Sequence, residues 1–123
     1  MIKKIDHVVL TTKNITRCRE FYLALGFCEK AESNRYEFYA GDFKINVHIL
    51  GNELYPHAGM VQPGSADLCF EIEGDLRDVL NRIQDQGIEI EVGIVERMGV
   101  RGKMESIYMR DPDDNLVECC SYG

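Results

Sequence analysis

The sequence predicts an α+β fold of two βαβββ modules whose curved mixed sheets enclose a cleft. Three observations lead there: a strand–helix–three-strand pattern that occurs twice, helix start and stop signals at matching offsets in both copies, and an intervening Gly- and Pro-bearing stretch without periodicity. The 123 residues suit one domain with a real core. Module one covers about residues 3–50, a linker 51–65 and module two about 66–121.

In the first copy, Ile5 to Thr12 is rich in β-branched residues and reads as a strand. Asn14 then offers a side-chain oxygen to the open amides of a helix. Ile15, Cys18, Tyr22 and Leu25 recur at helical spacing, and Gly26 supplies the left-handed end. Phe27 to Ala31, Tyr36 to Ala40 and Lys44 to Leu50 read as three strands, joined by a polar turn at Ser33 and Asn34 and by the Gly41-Asp42 turn.

The second copy repeats the order. Ala66 to Ile72 is a strand, Asp75 a second N-cap, and Leu76, Val79, Leu80 and Ile83 a second apolar stripe that stops at Gly87. Twelve steps separate Asn14 from Gly26 and Asp75 from Gly87 alike. Ile88 to Val92, Met104 to Arg110 and Leu116 to Cys120 are the remaining strands, the last two joined by the turn-forming Asp111-Pro112-Asp113-Asp114-Asn115. The glycine-bearing stretch Gly93 to Lys103, with Arg97 and Arg101, reads either as a mobile flap over the cleft or as an ordinary exposed loop.

Composition narrows the function. A net charge of −7 argues against nucleic acid, whose phosphates attract clustered cations. The N-terminal MIKKIDHVVL has too short an apolar run, broken by Asp6 and His7, for a signal peptide or a membrane helix. Five cysteines, an odd number without a CxxC pattern, fit buried reduced thiols, so a cytoplasmic location is expected.

The candidate chemistry lies on the first and last strand of each copy. Asn46, His48 and Leu50 share the face opposite Ile45, Val47 and Ile49, which aims His48 at the cleft; by the same alternation Leu116, Glu118 and Cys120 lie together. His48 follows its hairpin turn much as Glu118 follows the aspartate turn. His7 stands seven residues before its N-cap and Asp67 eight before its own, a slip that a β-bulge could absorb. Two imidazoles and two carboxylates, His7, His48, Asp67 and Glu118, make a donor set for Ni, Zn, Mn, Fe or Co with positions left for substrate. His57, in the linker, is left out of that set.

The segments IDHVVL, FYLALGF, INVHIL, SADLCFEI and YMRDPDDNLVEC resemble the vicinal oxygen chelate superfamily of glyoxalase, bleomycin-resistance and extradiol dioxygenase proteins over nearly the whole chain. INVH, PGSADLCF and SIYMRDPDDNLVE are similar to short glyoxalase-domain-containing proteins of the lactoylglutathione lyase type. The resemblance implies metal ligands from the first and last strands, at His7, His48, Asp67 and Glu118. It departs from glyoxalase I in carrying Asp67 where a histidine is typical and His48 where a glutamate or glutamine is usual.

The activity implied is a metal-dependent lyase or isomerase acting on a small substrate with vicinal oxygens, with Glu118 as both ligand and general base. A non-catalytic protein that sequesters an antibiotic, and an extradiol-type dioxygenase, are the alternatives; thiol transfer to an antibiotic is a minor one. A homodimer is expected from the family habit and from unpaired sheet edges.

Overall fold

The computed structural model describes residues 1–32 and 35–123, so the turn expected at Ser33 and Asn34 lies outside the described residues. Two compact units are found, Met1–Ser65 and Ala66–Gly123.

The first unit runs β1 (His7–Thr12), α1 (Ile15–Ala24), β2 (Cys28–Glu32), β3 (Arg35–Ala40) and β4 (Phe43–Ile49). Asn14 caps α1 by accepting from the Arg17 amide at 3.1 Å, which satisfies one of the donors a helix start leaves open. Gly26, at φ +101, lets the chain turn back into β2. The sheet order is β1-β4-β3-β2, with β1 and β4 parallel. Alternation sends Leu10, Phe38, Ile45 and Val47 to one face, all buried. There Phe38 meets Tyr22 of α1, ring centres 6.1 Å apart, and Tyr22 also packs edge-on against Phe21 and Phe27. The opposite face carries His7, Val9, Lys44, Asn46 and His48.

The second unit repeats this order with β5 (Asp67–Glu71), α2 (Leu76–Asp85), β6 (Val92–Gly99), β7 (Gly102–Arg110) and β8 (Leu116–Ser121). Asp75 caps α2 through the Arg77 amide at 2.7 Å. The sheet order, β5-β8-β7-β6, matches the first, with β5 and β8 parallel. Leu76 and Ile83 of α2 are buried, as are Ile107, Met109, Val117 and Cys119 of the sheet. The open face carries Asp67, Cys69, Leu116, Glu118 and Tyr108.

Three sequence expectations change. The stretch from Gly93 is no flap: it forms β6 and the start of β7, with a register shift between Val92 and Val95 that hides the strand period. Gly93 fits there because a Cβ would meet Ile107 Cγ2 at 2.6 Å. Ile88 to Glu91 precede the strand instead of forming it, although the Glu91 amide donates to the Tyr108 carbonyl at 2.8 Å. The one-residue slip between the copies is not a bulge in β5, since both parallel ladders run without a break. It lies in the longer connection to α2, where Gly74 has φ +88.

Candidate metal centre

Each unit builds half of the expected donor set on the open face of its parallel strand pair. In the first, His7 opens β1 and is exposed. Its Nδ1 lies 2.8 Å from Asp6 Oδ1, which leaves Nε2 outward, the usual way a carboxylate orients a metal-binding imidazole. That contact holds the Asp6 carboxyl below its ordinary range.

The ladder pairs His7 with Lys44, Val9 with Asn46 and Thr11 with His48. His48 therefore stands four residues beyond the row of His7, roughly 13 Å along the strands at about 3.3 Å per residue. It is half-buried, and loss of solvent lowers its pKa, with Glu53 of the linker opposing and His57 adding to the shift. Asn46 lies between them, only two residues beyond the His7 row. Its Oδ1 is buried and has no hydrogen-bond partner among the described residues, a state that costs about 1–3 kcal/mol unless something binds there.

In the second unit Asp67 opens β5, exposed, and pairs with Leu116; Glu118 is two residues further along β8, beside Cys69. Glu118 is half-buried and accepts a hydrogen bond from Ser106 Oγ at 2.6 Å; Ser106 is fully buried. Tyr108, the ladder partner of Glu118 on β7, completes the row. Loss of solvent around its sulfur, then the adjacent Cys120, raises the Cys69 thiol, and burial pushes Cys119 up to about 12. Such thiols are poor nucleophiles and poor ligands.

Set beside each other, the two ladders correspond: His7 and Asp67 each open their pair, and two residues further along the partner strand stand Asn46 and Glu118. Their β3 and β7 neighbours, Glu37 and Tyr108, correspond in turn. His48 corresponds to Cys120. Counting from the hairpin turns suggests otherwise because the turns differ: β3 and β4 are joined by Gly41 and Asp42, β7 and β8 by five residues. Within either unit, among the described residues, no three His, Cys, Asp or Glu side chains gather closely enough to hold an ion.

The five-residue turn fixes where β5 and β8 begin. Asp111, buried, accepts from the Asp113 and Asn115 amides at 2.9 and 3.0 Å and from Asn115 Nδ2 at 2.8 Å. Asn115 Oδ1 accepts from the Ala66 amide at 2.9 Å, one residue before Asp67, and the Leu116 amide returns a bond to the Ala66 carbonyl at 3.0 Å. The start of β5 is thereby tied to the start of β8.

A family model for the Glyoxalase/Bleomycin resistance protein/Dioxygenase superfamily matches residues 4–119. The chain belongs to that superfamily. It is 44% identical, over 99% of its length and 86% of the relative's, to virulence protein STM3117 of Salmonella typhimurium strain LT2. The crystal structure of that protein superposes with a TM-score of 0.96, covering 100% of this chain and 99% of that one. It is 39% identical, over 98% of its length and 69% of the relative's, to glyoxalase domain-containing protein RDO1 of Mycosarcoma maydis. A lactoylglutathione lyase from Agrobacterium tumefaciens shares the fold at 18% identity, TM-score 0.76, with 99% and 96% of the two chains covered. Among the described residues no helix is long and apolar enough to cross a membrane.

Proposed function

We propose that this superfamily member is a metal-dependent lyase or isomerase of the glyoxalase type, acting on a small substrate with vicinal oxygens. The proposed ligands of its divalent ion, Ni, Zn, Mn, Fe or Co, are His7, Asp67, Glu118 and a donor from β4. The ladder correspondence favours the amide oxygen of Asn46 as that donor, with His48, named by the sequence pattern, as its competitor further along the face. The observation that carries the reading is the buried Asn46 Oδ1, without a hydrogen-bond partner among the described residues, at the position that corresponds to Glu118.

When bound, the ion supplies Lewis-acid stabilisation of negative charge on the substrate oxygens. The chain supplies the rest. Asp6 keeps Nε2 of His7 available, and two carboxylates with neutral donors suit a divalent charge. Glu118, steadied by Ser106, accepts the proton from the substrate carbon and returns it to the neighbouring one as general base and acid.

The test is metal content by mass spectrometry on protein purified without a chelating tag, for the wild type and for His7→Ala, Asn46→Ala, His48→Ala and Asp67→Ala. About one ion per site, lost in His7→Ala and Asp67→Ala, supports the centre; the β4 variant that loses it names the fourth ligand. Hemithioacetals and catechols then separate isomerase from dioxygenase chemistry, and Glu118→Gln, whose amide oxygen can still coordinate, should keep metal when the ion is supplied in excess yet lose turnover. Absence of metal even after reconstitution refutes the enzyme reading and leaves a sequestering protein. The same reading includes a cytoplasmic homodimer, since each sheet leaves two strands at its edges, β1 and β2 or β5 and β6; light scattering on the eluted protein checks the dimer.

A further inference from the structure

The β6–β7 hairpin carries four basic residues, and three of them face carboxylates. Arg101 reaches Glu71 through both terminal nitrogens at 3.2 and 2.8 Å, Arg110 reaches Glu91 at 3.1 and 3.3 Å, and Lys103 lies 3.9 Å from Glu96. Arg97 has no carboxylate partner among the described residues. Its Nε donates to the Tyr108 hydroxyl at 3.0 Å and its Nη1 to the Glu96 carbonyl at 3.0 Å. The guanidinium carbon stands 5.3 Å from the centre of the Tyr108 ring, a distance at which the ring face attracts a cation.

Placement gives this cation its meaning. Tyr108 is the ladder partner of Glu118 and shares its face. A guanidinium has five N–H donors, of which two are engaged here, so a fork remains for a ligand. In a chain of net charge −7, a cation held by a phenol beside Glu118 is poised for an acid that the chain does not supply. We propose that Arg97, seated on Tyr108, recognises a carboxylate, so that the ligand of this face is an anionic small molecule carrying that group besides any vicinal oxygens. The inference rests on the reading above only in taking this face as the ligand's.

Two probe pairs test it. On metal-loaded protein, acetohydroxamate and succinic acid monohydroxamate chelate alike, but only the second adds a carboxylate. A charge-assisted bidentate contact predicts a preference for the second of about tenfold or more. Arg97→Met should abolish that preference and Arg97→Lys keep part of it, because lysine retains the charge without the fork. On metal-free protein, propionate should shift the Arg97 Nε–Hε resonance and propionamide should not. Equal hydroxamate affinities, a preference that survives Arg97→Met, or no response to propionate would overturn the inference. Failure to take up metal would remove the enzyme reading alone, because the propionate arm needs no ion.

Discussion

Replacing Asp111 with alanine should destabilise the protein by about 3–4.5 kcal/mol. The buried carboxylate accepts three N–H bonds at 2.8–3.0 Å. Hydrogen bonds to a charged acceptor contribute about 1.5–3 kcal/mol each. Taking about 1–1.5 kcal/mol for each of the three, because Pro112 and Asp114 in the same turn are exposed and admit water, gives the sum. Asp111→Asn keeps the oxygen that serves the two backbone amides but sets an NH2 group against Asn115 Nδ2, so about 1–2 kcal/mol is expected. In urea, with a slope of about 1.5 kcal/mol per molar, the alanine variant should shift the midpoint by about 2–3 M. Faster hydrogen exchange at the Ala66 amide should accompany it, since Asn115 carries the bond from the turn to β5. A shift below about 0.5 M, or an unchanged Ala66 amide, would refute the claim that this turn sets the register of Asp67 against Glu118.

Other perturbations have equally definite outcomes. Ser106→Ala removes the donor that orients Glu118 and should weaken metal affinity by about tenfold; competition against a chromogenic chelator measures it, and unchanged affinity argues against Glu118 as a ligand. Arg101 holds the Glu71 carboxyl below its usual value of 4.5. A lowered folded-state pKa means that this pair's contribution is present above the ordinary carboxylate range and fades as pH falls through the folded value. The difference between wild type and Glu71→Gln should therefore be largest near neutrality and shrink toward pH 3, as urea midpoints across that range would reveal. Gly99→Ala would bring a methyl group within 2.7 Å of Met104 Sδ and onto the Tyr122 ring, costing about 1–3 kcal/mol as overpacking; a melting temperature equal to wild type would show that the hairpin yields freely.

What the sequence made legible was local chemistry. Asn14 and Asp75 announce helix starts because their short side chains reach amides that have no other partner, and Gly26 and Gly87 announce the ends because φ near +100 and +81 suits no bulky residue. Alternation alone puts Asn46, His48 and Glu118 on open faces. It cannot say which of Asn46 and His48 falls opposite which residue of β1, because a parallel pairing is set by contacts distant along the chain and not by the turn that precedes the strand. β6 was hidden for a related reason: a register shift after Val92 destroys the period from which strands are read. Ser106 gave no signal at all, since a serine between Glu105 and Ile107 looks like any polar position until β7 sets it beside Glu118.

The repeated ladder also links the proposed ligands to Arg97 through charge. Corresponding positions have diverged in charge: the first unit offers an imidazole and a neutral amide, the second two carboxylates. In the proposed centre two carboxylates would balance a divalent ion and leave nothing over to attract an anionic ligand. A third acidic donor in place of Asn46 would make the centre net negative and repel a carboxylate, whereas the neutral amide avoids that repulsion. Attraction must then come from a separate cation close enough to act yet held off the carboxylates that would neutralise it. Arg97 is held in this way by a neutral partner, because Tyr108, the ladder neighbour of Glu118, takes its Nε hydrogen bond. Asn46→Asp therefore provides a joint test: it should strengthen metal binding while weakening the succinic acid monohydroxamate preference, and a gain in both would break the link between donor charge and ligand charge.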